Sequence, residues 1–326
     1  MDFVKYCSIE NHYQEKTINA WCKLYPELYN EEYIIQEKIH GSNFSIWFEK
    51  NADDVSIKFG KRNSFLEETE SFFNWQQVVE RENIKLAISR IKEYLQNSNC
   101  NSITLFGELY GEGIQKGVYY SSLKNIVFFD IKVDGLYMSP KFMEKLFDEL
   151  ELKNMLVPKI SVIKGLDNAL KIDTCFNSKL ADMDFIEGNN ICEGIVIKPY
   201  NKVYYYGTLF YIKKKNDKFK EIQRAPKVKE ERSSSALELR EIFKGYINKN
   251  RLDNIFSKYG KIKELKDVGK YISLTTEDAK KDFFKDYLDE FSSLNNKDKK
   301  FVVSVVPDLA KEIIKEIDNE DIGRIK

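Results

Sequence analysis

Histidine is almost absent from this 326-residue chain, occurring only as His12 and His40, and proline appears six times. The five cysteines, Cys7, Cys22, Cys100, Cys175 and Cys192, form no C-x-x-C pair and match neither histidine at a zinc-ligand spacing. That excludes a zinc finger or ribbon, and an odd, scattered set fits a reducing compartment better than a disulfide framework. No apolar stretch approaches the ~20 residues of a membrane helix. The opening MDFVKYCSIENHY has neither the basic flank nor the apolar run of a secretory leader, so an intracellular, cytoplasmic setting is expected. Charge of one sign is also lacking. The 52 basic residues balance 52 acidic ones, which excludes a uniformly cationic coat for nucleic acid but leaves room for a local basic groove.

What is present is core-forming. Hydrophobic residues make up 42% and aromatics 13%, and the length allows two domains. Short alternating or apolar runs predict strands at Tyr33–Glu37, Phe44–Phe48, Val55–Phe59, Ser102–Leu109, Asn125–Lys132, Gly194–Lys198 and Thr208–Lys213. Between the third and fourth, Ile84, Ala87, Ile88, Ile91, Tyr94 and Leu95 form a helical stripe. This non-alternating order predicts an α+β fold with antiparallel sheets. Residues 216–235 read as a polar linker ending in three serines. Beyond it the period is helical: Leu239, Ile242, Phe243, Tyr246 and Ile247 form one stripe, and Ala279, Phe283, Tyr287, Leu288 and Phe291 another. Thr275 with Asp278 suggests an N-cap for the second of these helices, and Pro307 suits the first turn of a third. The expected division is 1–232, strand-rich, and 233–326, all-helical.

The chemistry-bearing residues sit at the ends of the expected strands. Lys38, in QEKIHGSNF, follows an apolar strand and precedes a glycine. A lysine there is either a solvated strand-end charge or a nucleophile. A nucleophilic amine must shed the proton it holds at an ordinary pKa of ~10.4, which nearby cations or desolvation promote. If the electrophile is a nucleotide phosphate, the site also needs basic groups, a carboxylate for metal and an aromatic face for the base. Such groups follow in order: Arg62 in FGKRNSF, Glu108 in TLFGELYGEG, Phe128, Phe129 and Asp130 in NIVFFDIK, Glu193 in CEGIVIKP, and Lys213 and Lys215 in YIKKK. Strand alternation puts Lys213 and Lys215 on one face and Lys214 on the other.

Six segments in this order resemble the motifs of covalent nucleotidyltransferases: EKIHG, FGKRNSF, FGELYG, FFDI, EGIVIK and YIKKK. The histidine in K-x-H-G, and the opening KYCSIENHY, are similar to the phage nick-sealing and kinetoplastid RNA-editing ligases, RNA ligase family 2. The resemblance runs from about residue 5 to 220. It implies an ATP-grasp-like, DNA ligase-type nucleotidyltransferase domain of antiparallel sheets with helices, followed by a small all-helical domain in place of an oligonucleotide-binding barrel. It further implies ATP and Mg2+ or Mn2+ as cofactors, and RNA as partner: nicked duplex, or RNA–DNA hybrid.

By the same resemblance Lys38 is the nucleophile. Lys213 and Lys215 contact the AMP phosphate, and Glu193 helps bind metal. Glu108 meets the ribose, Arg62 a phosphate or the RNA end, and Glu37 the adenine. Phe129 stacks on the base, with Phe128 one residue away as the alternative. Gly41 admits close approach of the nucleotide, and Asn43 is a further nucleotide-binding residue. His40 serves either catalysis or loop structure. Asp130 is a supporting partner. Residues 201–232 carry ten basic against four acidic side chains, a local excess suited to a phosphate backbone.

Overall fold

The structure, a computed structural model, describes residues 1–52, 54–181, 189–205, 208–219, 235–260 and 268–304. The chain divides into two compact units, Met1–Lys218 and Phe219–Lys326. The expected boundary at 232/233, the basic residues from Lys220 to Arg232 and the helix start near Pro307 all lie outside the described residues.

The first unit holds two five-stranded sheets. One has the order β4 (Val55–Lys61), β3 (Ser42–Lys50), β5 (Ser102–Tyr110), β6 (Asn125–Val133), β7 (Leu136–Tyr137), all antiparallel. The other has the order β1 (Glu10–Asn11), β10 (Ile212–Lys215), β9 (Gly194–Pro199), β2 (Glu32–Lys38), β8 (Lys159–Lys164). It is antiparallel except for the short parallel pair of β1 with β10.

Period-2 alternation gives each sheet two distinct faces. From the first sheet Phe44, Ile46, Phe48, Ile103, Leu105, Leu109, Ile126 and Phe128 enter one core. There they meet Ile84, Ala87, Ile91 and Leu95 of α3 (Glu82–Asn97), the stripe read from the sequence. Each large apolar side chain so buried contributes about 1.5–3 kcal/mol. From the second sheet Tyr33, Ile35, Ile195, Ile197 and Ile212 enter another core, closed by Ile18, Trp21 and Cys22 of α1 (Glu15–Leu24).

The opposite face of the first sheet carries Trp47, Phe106 and Phe129, over which the N-terminal segment is strapped through Phe3 and Tyr6. Phe3 packs on Trp47 and edge-on against Phe65. The Tyr6 hydroxyl donates to Asp130 at 2.5 Å. The same segment then joins the second sheet, where Glu10 N–H donates to Tyr211 O and His12 N–H to Lys213 O, both at 3.0 Å. One short stretch of chain therefore ties both sheets together.

The strand KISVIK, β8, has no counterpart in the sequence reading. It is an edge strand with a lysine at each end, and its alternation is blurred by the register shift opposite Ile35/Gln36. The strand expected at Thr208–Lys213 is instead the four residues Ile212–Lys215, because the chain before it turns back in a Tyr205–Leu209 bridge.

In the second unit α6 (Ser235–Lys244), α8 (Val268–Ser293) and α9 (Asn296–Val303) share a core around Phe243 and Phe283. The Thr275–Asp278 cap is not formed. Thr275 lies within α8, where its hydroxyl donates to Tyr271 O at 2.7 Å. Leu288 also leaves the expected stripe and is exposed, because the helix kinks at Tyr287. Asp278 serves elsewhere: Arg251 of α7 (Lys249–Tyr259), fully buried, reaches Asp278 at 2.5 Å and Asp282 at 2.9 Å and donates to Tyr246 O at 2.7 Å. Among the described residues no helix is long and apolar enough to cross a membrane.

Candidate active site

Three strands of the second sheet converge on Gly194. Lys38, the last residue of β2, and Lys215, the last of β10, are both paired in register with it. Its φ is +152°, and a Cβ there would lie 2.2 Å from Lys214 O, so only glycine fits between the strands. The residue before it, Glu193, is thereby aimed between the two lysines. Glu193 Oε2 lies 2.8 Å from Lys38 Nζ and 3.4 Å from His40 Nδ1, and Oε1 lies 3.0 Å from Lys215 Nζ. Burial works to raise the Glu193 carboxyl, but Lys38, Lys215 and His40 outweigh it and hold the group well below the usual carboxylate range. The site therefore keeps a buried anion between two lysine cations.

Lys214 points away, as alternation requires, and donates to Leu170 O at 2.9 Å and Ile172 O at 2.6 Å. It is thus a strut to α5 (Leu166–Leu170) and its following turn rather than part of a loose basic tail.

The turn from β2 to β3 is pressed onto β5. A Cβ on Gly41 would stand 2.3 Å from Leu109 O and 2.8 Å from the Glu108 side chain. Close packing on β5 therefore already demands this glycine, before any nucleotide is considered. Asn43 and Glu108 are cross-strand partners. Burial raises Glu108 to about 7, with Lys38 and Arg62 opposing that rise and Glu193 adding to it. Arg62 sits with its guanidinium 5.8 Å from the centre of the Tyr6 ring. The neighbouring Lys61 is in contact with Glu70.

Glu108 gives a pH prediction. A carboxyl raised in the folded state favours folding while protonated, and that contribution is lost as pH climbs from about 4.5 to about 7. The rise corresponds to roughly 3 kcal/mol. Denaturant unfolding of native protein and Glu108→Gln across this range should show the native form losing stability relative to the variant by about that amount. Parallel curves would contradict it.

Glu37 is 2% exposed, and burial raises its carboxyl, opposed by hydrogen bonds from Ser178 and the amides of Lys179 and Leu180. Oε2 accepts from Lys179 N–H at 2.7 Å, while Oε1 has no hydrogen-bond partner among the described residues. The phenylalanine doublet separates cleanly. Phe128 is buried in the core against Phe147, and Phe129 lies on the other side of β6, edge-on to Tyr6.

Sequence reasoning missed two groups. Lys198, 2% exposed, donates to Phe129 O at 2.7 Å and pairs with Asp130 Oδ1 at 3.0 Å. Its signal was a lysine inside an apolar strand. Tyr120, whose hydroxyl oxygen accepts from His40 N–H at 2.7 Å, lies in a loop with no periodicity to mark it.

A strand-end lysine braced by a buried glutamate, with a second lysine and two further carboxylates around it, is the constellation of a nucleotidyltransferase. The model described as RNA ligase matches residues 31–247, and that described as T4 RNA ligase 2 C-terminal matches residues 229–318. The chain belongs to the RNA ligase family. It is similar to the mitochondrial RNA-editing ligase 1 of Trypanosoma brucei brucei, 28% identical over 83 residues, which cover 25% of this chain and 18% of that protein. RNA-editing ligase 2 of the same organism is 29% identical over 114 residues, 33% of this chain and 25% of that one. The chain thus matches a quarter or less of the length of these curated relatives. Among solved structures, a mutant of the Naegleria gruberi RNA ligase with ATP and Mn aligns with a TM-score of 0.49 at 19% identity, covering 67% of this chain and 58% of that one.

Proposed function

We propose that the protein is an ATP-dependent RNA ligase that joins 3′-hydroxyl and 5′-phosphate ends of RNA, at nicks in duplex RNA or RNA–DNA hybrid, in an intracellular, cytoplasmic setting. The observation that carries this reading is the placement of Lys38 Nζ 2.8 Å from the buried Glu193, with Lys215 on the other carboxylate oxygen.

Lys38 leaves Glu193, gives its proton to solvent water and attacks the α-phosphorus of ATP. A phosphorus–nitrogen bond forms, the bond to the β-phosphate oxygen breaks, and pyrophosphate departs. AMP then passes to the 5′-phosphate of an RNA, giving a 5′–5′ adenylate and freeing the lysine. A 3′-hydroxyl finally attacks that phosphate and AMP leaves. Lys213 and Lys215 neutralise charge that develops on phosphate oxygens. Phe129 stacks on adenine, Glu37 faces its edge, Glu108 and Asn43 meet the ribose side, and Arg62 binds a phosphate or the RNA end. Gly41 and His40 keep the turn beside the nucleotide.

Among the described residues no group of three or more His, Cys, Asp and Glu side chains is arranged to hold a metal ion. One anionic, buried carboxylate at the phosphate position nonetheless fits Mg2+ or Mn2+, which takes one or two carboxylates together with substrate phosphates. Glu193 would hold the ion, whose contribution when bound is to neutralise phosphate charge. Residues 1–232 form the adenylyltransferase part in this reading, and the helical 233–326 assists RNA binding.

The test is incubation with α-labelled ATP or GTP and divalent metal, before and after pyrophosphate treatment, then a denaturing gel. Label from ATP retained on the protein is expected. Label from GTP would move the protein to the capping class, and none from either after pyrophosphate treatment would favour a non-catalytic RNA-binding protein.

A further inference from the structure

The Lys38–Glu193 contact joins residues 155 positions apart. The pairing of Lys38 with Gly194 sets the backbone spacing of the two strands, but the residues just beyond that pair, the turn after Lys38 and the segment before Gly194, lie outside the ladder. The turn bearing His40 hangs between β2 and β3, and Glu193 precedes β9. Between them passes the loop from β5 to β6, residues 111–124, GEGIQKGVYYSSLK.

Two successive residues of this loop hold the two sides. The Tyr120 ring, 3% exposed, packs edge-on against Tyr110 with centroids 5.5 Å apart. Its hydroxyl oxygen takes the His40 N–H, two residues from the nucleophile. The Tyr119 backbone is gripped by one side chain: its N–H donates to Asn190 Oδ1 at 2.9 Å, and its carbonyl accepts from Asn190 Nδ2 at 2.7 Å. Asn190 is buried, donates its own N–H to Asn177 Oδ1 at 3.0 Å, and stands three residues before Glu193.

The loop itself is anchored on several sides. Glu112 N–H donates to Ser121 O at 3.1 Å, Gln115 Nε2 to Gly41 O at 3.3 Å and Lys218 Nζ to Gly117 O at 3.0 Å. At its start Gly111 has φ +118°, and a Cβ there would meet Leu123 O at 2.6 Å.

We propose that the Tyr119–Tyr120 step is a clasp that holds the His40 turn against the segment before Glu193 and so fixes how the Lys38 side chain meets Glu193, with Tyr120 as a positioning residue acting through the His40 amide and Asn190 as its counterpart before Glu193. The clasp rests on the ligase reading above. A hydroxyl on a buried ring is a fixed acceptor, and an amide bonded to it cannot rotate. Freed, the turn would let His40 and the end of the lysine side chain shift against Glu193, and a displacement of about 1 Å costs on the order of 100-fold in rate. The Tyr120 and Asn190 side chains reach backbone groups of the turn and loop rather than a side chain assigned to ATP, so the rate should move more than the affinity.

The experiment measures single-turnover transfer of label from ATP to native protein, Tyr120→Phe and Asn190→Asp over a range of ATP concentrations. Tyr120→Phe removes only the acceptor oxygen. Asn190→Asp keeps the acceptor for Tyr119 N–H and loses the donor to its carbonyl. Both are expected to lower the maximal rate, Tyr120→Phe by about 10- to 100-fold, with half-saturating ATP within about two-fold of native. The double variant should be no more than about three-fold slower than Tyr120→Phe, because both changes cut one link. Native labelling with an unimpaired Tyr120→Phe overturns the clasp alone. So does a rise in half-saturating ATP without loss of rate, or effects that multiply in the double variant. A native protein that takes no label overturns the ligase reading and the clasp with it.

Discussion

Lys38→Arg is expected to abolish the retention of AMP on the protein, a loss of about ten-thousand-fold or more in rate. Arginine keeps a positive charge within reach of Glu193, which Lys38 now approaches to 2.8 Å. The pair of cations around that carboxylate is therefore conserved, and so is much of what holds the pocket together. What is lost is the free amine. A guanidinium stays protonated at every pH a protein tolerates and offers no lone pair to phosphorus. Binding of ATP should survive while covalent capture does not. An RNA strand supplied already adenylylated at its 5′ end bypasses the lysine, so its sealing should fall much less than sealing that starts from ATP. Both are read on one gel. Full AMP labelling of Lys38→Arg would remove Lys38 from the chemistry and with it the proposed mechanism.

The second large effect concerns stability. Lys198→Met is expected to cost about 3–5 kcal/mol, because it strands Asp130 in the interior without its counter-charge. Both side chains are nearly inaccessible, at 2% and 3% exposure. Burial drives each toward its neutral form, raising Asp130 and lowering Lys198, and their mutual attraction works against that. Breaking one side leaves the desolvation and removes the compensation. Replacing both, as Lys198→Met with Asp130→Leu, should return more than half of the loss, since a well-packed apolar pair needs no counter-charge. Urea unfolding of the four proteins completes the cycle. A single variant within about 1 kcal/mol of native would show the pair to be dispensable. The stakes are larger than one contact, because Asp130 also accepts from Tyr6 and so anchors the strap that reaches both sheets.

The sequence carried the strands whose apolar residues recur at every second position. In β3 and β5, Phe44, Ile46 and Phe48 and then Ile103 and Leu105 repeat every second position and enter one core, while Trp47 and Phe106 at alternate positions are buried on the other face under the N-terminal segment. It also carried the order of the charged residues at strand ends, and the structure brings Lys38, His40, Glu193 and Lys215 together around one carboxylate. Other features are tertiary facts without a local signal. Lys198 and Asp130 are 68 positions apart and each looks ordinary alone. Tyr120 lies in a glycine-rich loop where nothing marks which hydroxyl will face which amide. Thr275 with Asp278 had the spacing of a cap, but packing carried the helix two turns further back, and Asp278 went to Arg251. Gly41 was legible as a necessary glycine, yet its neighbour turned out to be β5.

The run Lys213–Lys214–Lys215 looks like redundancy, as though any one lysine could stand in for another. The pairing of β10 makes it a parity code instead. With Lys215 opposite Gly194, the two odd-numbered lysines share one face, from which Lys215 reaches Glu193, and the even one is spent on the carbonyls of Leu170 and Ile172. A slip of one residue would exchange the faces, offering the site one lysine in place of two while leaving composition and net charge untouched. Gly194 marks where the strands come closest, since a Cβ there would lie 2.2 Å from Lys214 O. An insertion of one residue before Ile212 would thus be read by the protein as a change of phase rather than of length.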